Sequence, residues 1–486
     1  MTPTHSHVPS TSMINRKLLA AAVAILAVAA CKDINAPNLN APSVDGLGAS
    51  VGALASTSIG LLSNLRGQTF GQVVFGAGMA REGYRFDVAE GRYTSQFVQS
   101  PTIDNSNFIG AGLWNGNYNT SLTADALTAA ANSSPLLNAG QGAGLRGYAR
   151  TARAIAYWNI AQTRDTLGFP IQTDQAAGTL AAIRCKPGAL AAITALLDSA
   201  YTDLNVAGAT FIFSLPAGVN NGFGASDLEA LKNLNRAFKA KVSLYAGLAG
   251  TSYAAPVGGN VPALNAALAA LAQVSVFSTA PATFNNGFYH VFSTGAGDAT
   301  NPLYVPLGVQ NIYRLDKSLV DSVEAGDTRF AAKTVAAPPL SSPIVGFPAV
   351  PTTVAFNVYQ SVTQSMALIR MEELVLLRAQ ANIALNNLVA AKADIDIVRG
   401  AAGLGPSAAP AGVTATGTLS QLLQQKRYSL MWEGLQRVVD LRAYGVLNAT
   451  YRPAPVGFAV FQPVLPIPLN ELTARVLTPS TVVCTP

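Results

Sequence analysis

Apolar residues recur at three- and four-residue intervals through several long stretches of this chain, the spacing of one face of an α-helix. Segments 145–161, 190–206, 228–248 and 264–274 are Ala- and Leu-rich stretches of this kind. Ser226-Asp227-Leu228-Glu229 reads as a capping box, with a hydroxyl and a carboxylate placed to satisfy orphan N–H groups of a first turn. Further on, Leu374, Leu377, Ala381, Ala384 and Leu388 make one continuous apolar stripe. Helices with so little surface charge must bury against one another. The pattern therefore predicts a mainly α fold of stacked antiparallel helix pairs, tetratricopeptide-like, with long irregular loop regions and no strict repeat.

Two intervals lack that pattern. Residues 250–360 carry Gly, Pro, Ser and Thr punctuation with Phe284, Phe288, Tyr289, Phe292, Tyr304 and Tyr313, and residues 67–119 are similarly rich in rings. Long irregular segments often carry function when they are ordered. Rings flanked by Arg, Asn and Asp suit ligands that combine apolar faces with hydroxyls, although any single ring is more often a packing residue. On composition and position, Arg81, Tyr84, Tyr93, Tyr289 and Tyr304 are the candidate ligand-binding residues, each expected in a non-helical stretch.

The start of the chain changes the picture most. Arg16 and Lys17 precede the apolar run 18–30, which ends in Ala29-Ala30 directly before Cys31. A basic region, a short apolar region and small residues describe a signal peptide over residues 1–30, too short to span a bilayer. The small pair before Cys31 resembles a bacterial lipobox, which implies lipidation of Cys31 and a membrane anchor that does not cross the membrane. Residues 31–46, rich in Asn, Pro and Asp, read as a flexible tether, leaving 47–486 as the folded domain.

Charge and chemistry mainly exclude. Only 12% of residues are charged, and the net charge of +6 is scattered without a basic cluster, so no nucleic-acid partner is expected. Without the leader, His290 is the only histidine and Cys185 and Cys484 the only other thiols, which leaves no metal site and no cofactor in view. His290 sits in an aromatic segment with no nucleophile signature and reads as a packed histidine. The sequence leaves open whether Cys185 and Cys484 pair. A glycosidase would need two carboxylates flanking a cleft; candidates such as Asp87 and Glu90 exist, but nothing marks them out.

The C-terminal half carries a family resemblance. IRMEELVLLRAQA (369–381) is followed by ADIDIVR (393–399), AGL (402–404), KRYSLMWEGLQRVVDLR (426–442), LPIP (465–468) and Asn470-Glu471. Upstream, GDTRF (326–330), LGFP (167–170) and CKDINAPN (31–38) fit the same order. Together these resemble the SusD/RagB family of nutrient-uptake lipoproteins. Lys426, Ser429 and Gln380 depart from the glutamates usual at those positions, which bears on the salt-bridge network and not on the fold. Glu433 and Arg437 stand four apart with Asp440 a turn further, so a Glu–Arg–Asp cluster is expected to clamp the last helices as a structural network.

The resemblance implies a non-enzymatic lipoprotein on the outer face of the outer membrane. It would bind a nutrient, an oligosaccharide first and a peptide second, and deliver it to a SusC-like TonB-dependent transporter. The alternative is a helical-repeat scaffold lipoprotein that mediates protein–protein contacts in the envelope and binds no small ligand.

Overall fold

The structure is a computed structural model. It describes residues 47, 50–478 and 484, apart from 99, 101, 172–178, 209–210, 307–311, 339, 341–352, 408–412 and 449–460. The signal peptide, Cys31 and the tether lie outside the described residues.

Helix α1 (Val51–Arg66) opens on Ser50, whose Oγ accepts from the Ala53 N–H at 3.0 Å. Next come α2 (Thr69–Ala80), strand β1 (Gly83–Arg85) and the short α3 (Arg92–Val98). A helix pair follows, α4 (Asn115–Ser133) and α5 (Ala139–Arg164), the second started by a complete capping box between Asn138 and Gln141. Strands β2 (Phe169–Pro170) and β3 (Ile183–Arg184) pair before α6 (Lys186–Val206), which has proline in its first turn. After β4 (Asn220–Asn221), α7 (Asp227–Gly247) and α8 (Val261–Ala272) form another pair. Ser226 caps α7 as its sequence predicts, but Glu229 reaches back to the Ala225 N–H instead of the cap's own.

The middle of the chain holds β5 (Gly287–His290), β6 (Tyr313–Leu315), α9 (Lys317–Asp321), α10 (Thr328–Lys333), β7 (Thr334–Ala336), β8 (Val354–Phe356) and β9 (Met366–Arg370). It closes with α11 (Met371–Ala384), α12 (Leu388–Ala401), α13 (Ala415–Ser429), α14 (Gln436–Ala443) and α15 (Leu469–Ala474). Helices dominate and the long ones stack in sequence. α1 lies on α4, α4 on α5, α5 on α6, α6 on α7, α7 on α8, α8 on α11, and α11 on α12 and α13.

Close approach replaces bulk in this stack. A Cβ on Gly147 of α5 would sit 2.7 Å from Leu204 and 2.8 Å from the Ala200 carbonyl of α6, so the two helices touch through backbone. One apolar core runs through the stack. A second lies between α2, the antiparallel sheet β1-β6-β8-β7 and α14, where Phe356 and Trp432 stack at 4.0 Å.

Three expectations need correction. Residues 67–119 are not irregular: α2 is buried on almost every side, and its Gly71, Gly76 and Gly78 hide the helical period. Residues 250–360 likewise contain short strands and helices, whose brevity erases any pattern. The third concerns the last charges. Positive φ at Trp432 (61°) and Gly434 (144°) keeps Glu433 out of α14, so it does not meet Arg437. Glu433 instead takes Arg370, Arg437 takes Glu82, and Asp440 takes Lys426, so the three residues fall into three separate ionic groups where one cluster was expected.

Cys185, the N-cap of α6, is disulfide-bonded to Cys484, with Cα atoms 5.4 Å apart. The bond ties the C-terminus to the middle of the helical stack. Cys185→Ser should lower the unfolding free energy by about 2–4 kcal/mol through the long loop it releases. Urea melts of oxidised protein measure this, and an unchanged midpoint would show that the bond carries no stability.

Candidate functional site

The departures from the family pattern gather in the interior. Lys426 Nζ lies 2.7 Å from Asp440 Oδ1, 2.8 Å from Gln380 Oε1 and 3.2 Å from the Tyr245 hydroxyl. Ser429 donates to Glu372, and Arg329 donates to Ser429 at 2.9 Å. Lys426, Gln380 and Ser429 are all buried, so these groups hold α11, α13 and α14 together and offer nothing to a ligand.

The surface around β1 and α3 is different. Alternation along β1 turns Tyr84 inward and Arg85 toward α3. The Arg85 guanidinium lies 4.1 Å over the Tyr93 ring and 5.3 Å over Phe70. Tyr93 meets Phe108 edge-on at 5.1 Å and Phe70 at 5.8 Å, and Arg92 lies 4.7 Å over Phe108. Each arginine has its own carboxylate: Asp87 pairs with Arg85 at 2.6 Å and Glu90 with Arg92 at 2.5 Å.

Local hydrogen bonds fix this layer. The Ala89 N–H donates to Asp87 Oδ1 at 3.0 Å, and Thr94 Oγ1 donates to the Arg85 carbonyl at 2.8 Å. Phe108 is 38% exposed, while Phe70 and Tyr93 are half-buried, so the rings form a partly open platform. The hydrogen bond from Arg92 holds the Glu90 carboxyl below its ordinary range. Burial pushes the Tyr93 hydroxyl up, with the Arg85 charge opposing it.

The candidate residues read from sequence do not converge. Of them, only Tyr93 belongs to the platform, and it sits in helix α3, not in a non-helical stretch. Tyr84 is 1% exposed, packed on Phe86, with its hydroxyl 3.2 Å from Asp316 Oδ2. Arg81 is buried at the left-handed end of α2 and lies over Phe461. Both are core residues, because the chain turns inward there to start β1. Tyr304, half-buried, follows Pro302, whose carbonyl accepts from the Tyr313 hydroxyl. Tyr289 lines a separate cleft of about 600 Å³ whose floor carries Arg370, Glu372, Glu433 and Lys333, all paired with one another.

Sequence reasoning passed over Phe70, Arg85, Arg92 and Phe108 as ligand residues. The signal that could have found two of them, Arg85 and Arg92, is the alternation of cation and carboxylate, Arg85-Phe86-Asp87 and Glu90-Gly91-Arg92, running into Tyr93. His290 is buried on β5 opposite Met366, and burial pushes its imidazole down to about 3, so it is neutral. Among the described residues, no group of His, Cys, Asp and Glu could hold a metal ion, and no helix is long and apolar enough to cross a membrane.

No family model matches the sequence, and no curated protein matches it. Solved structures do match in shape. Surface glycan-binding protein A from Bacteroides uniformis superposes with a TM-score of 0.65 at 15% identity, over 87% of this chain and 98% of its own. A SusD superfamily protein from Bacteroides vulgatus gives 0.64 at 15% identity, over 89% and 98%. A laminarin-binding SusD-like protein gives 0.61 at 17% identity, over 86% and 97%. Identities this low speak to architecture, and the match spans nearly the whole of each relative: the chain has the SusD-like fold.

Proposed function

We propose that this protein is a non-catalytic, surface-exposed receptor for an oligosaccharide. The observation that carries the reading is the platform of Phe70, Tyr93 and Phe108 interleaved with Arg85 and Arg92. Rings offer apolar faces on which sugar rings stack, and the paired carboxylates and guanidinium groups beside them can exchange hydrogen bonds with hydroxyls. Support comes from the shape neighbours, whose names include a surface glycan-binding protein and a laminarin-binding protein. Within the platform, Arg92 holds the Glu90 carboxyl toward its charged form, the opposite of what the general acid of a glycosidase requires.

The wider reading follows the family resemblance. Cys31 carries the lipid, the tether of residues 31–46 keeps the folded domain near the outer membrane, and the captured glycan passes to a SusC-like TonB-dependent transporter. A tether raises the effective concentration of receptor over transporter without any added contact.

Affinity electrophoresis against a polysaccharide panel tests the binding step. Tyr93→Ala and Phe108→Ala should each weaken retardation by roughly tenfold, as expected for a central ring in a small interface. A wild-type protein that no glycan in the panel retards would favour the scaffold alternative. Unchanged retardation in both variants would remove the platform from the account.

A further inference from the structure

We propose that a cavity inside the helical stack is a second binding site, for a small amphiphilic carboxylate. The cavity lies between α5, α6, α7, α8 and α14 and measures about 620 Å³. That falls within the range of roughly 300–1,000 Å³ usual for small-molecule sites. It is separate from the platform, with which it shares no lining residue.

Its walls are apolar. Leu190, Ala246, Ala263 and Val439 face the space, with the Trp158 and Tyr245 rings stacked on each other at 5.5 Å behind them. Three of the four charged residues on the lining, Lys186, Lys239 and Arg442, are cations, and Asp165 is the fourth. Lys186 Nζ at 2.7 Å and Arg442 Nε at 3.2 Å both rest on a single oxygen, Asp165 Oδ1. Lys239, also on the lining, pairs with Asp198 at 2.5 Å, and Asp198 is shared with Arg236 at 3.1 Å. Four cations therefore divide two carboxylates, and the surplus sits beside an apolar hollow.

The arrangement resembles an unfinished ion pair. Arg442 is locked by its bonds to the Gln162 and Pro463 carbonyls, so it contributes field more than contact. Burial holds its guanidinium below its ordinary range against the pull of Asp165, a cost that a further anion would offset. Lys186 is freer, with 36% of its side chain exposed and three ammonium donors, of which Asp165 takes one. A carboxylate seated on Lys186 would complete the charge balance, and an alkyl tail would take the apolar wall. Asp165 is held at φ 42°, outside the usual range for a residue with a side chain, so the shared carboxylate is fixed by the backbone at the end of α5.

Isothermal titration calorimetry with sodium decanoate, below its micellar concentration, tests the proposal. Wild-type protein should bind one decanoate per chain, and decyltrimethylammonium at least tenfold more weakly. Lys186→Met keeps the apolar stem and removes the charge, and should weaken decanoate at least tenfold. Ala191→Trp, at an exposed position on the cavity's edge, should fill the space and abolish binding. Tyr93→Ala should bind decanoate like the wild type, which separates this site from the glycan reading. Absence of decanoate binding to wild type, equal binding of the cationic surfactant, or wild-type affinity in Lys186→Met would each overturn it.

Discussion

Arg370→Met should lower the unfolding free energy at pH 7 by about 3–5 kcal/mol, the range for breaking a buried ion pair from one side. Arg370 closes β9 and precedes α11, and its fork takes Glu433 through Nε at 2.9 Å and Nη2 at 3.1 Å. The remaining nitrogen takes Glu372, and Nη2 also reaches the Ser429 carbonyl at 2.6 Å. Methionine would fill the volume but leave both carboxylates buried with Lys333 as the nearby cation. Arg370→Lys should fall between, since it keeps the charge and loses the bidentate geometry.

The pH dependence gives this prediction a signature that a packing defect lacks. Burial alone would push the Glu372 carboxyl up, but the charges of Arg370 and Lys333 bring it down to about 2. A depressed native pKa contributes stability that is complete above the unfolded value near 4.5 and is lost as pH falls toward 2. Glu433 is shifted the same way, with Arg370 and Lys333 overcoming its burial. In Arg370→Met the two carboxylates are no longer held down, so they take up protons at higher pH. The gap between wild type and variant should therefore be widest at pH 7 and narrow steadily toward pH 3. Urea midpoints across that range decide it, and a gap independent of pH would assign Arg370 a packing role.

How much of this was visible beforehand depended on the range of the interaction. The helices α5 to α8 were legible because their period is local and their caps lie within four residues. The apolar stripe is legible from Leu374 to Ala384 on α11, but it is not continuous to Leu388, because the helix breaks at Asn386, whose φ is 62°. Leu388 opens the next helix. Partners far apart in sequence were not legible. Glu82 pairs with Arg427, and Cys185 with Cys484, across most of the fold. Glu433 and Arg437 have the spacing of a helical pair, but the backbone between them is not helical. A sequence pattern alone cannot register that break.

The same limit separates two tyrosines that composition treats as equals, and it yields the second large effect. Tyr84→Ala should destabilise by about 3–5 kcal/mol, the usual cost of emptying a buried ring site. Its ring is enclosed by the core of α2 and the β1-β6-β8-β7 sheet, and its hydroxyl reaches Asp316, the N-cap of α9. Tyr84→Phe keeps the ring, removes the hydrogen bond to Asp316 and should cost about 1 kcal/mol. Tyr93→Ala removes a half-buried ring and should cost about 1 kcal/mol, near the centre of ordinary substitutions, while weakening glycan retention. The inward turn of Tyr84 follows from the pairing of Gly83, Tyr84 and Arg85 with Leu315, Arg314 and Tyr313, a register set by residues far downstream. Urea midpoints and electrophoretic retardation measured on the same three variants separate folding from binding. Should Tyr84→Ala melt like the wild type yet lose glycan, the ligand surface would have to include β1, and the division between core and platform would be wrong.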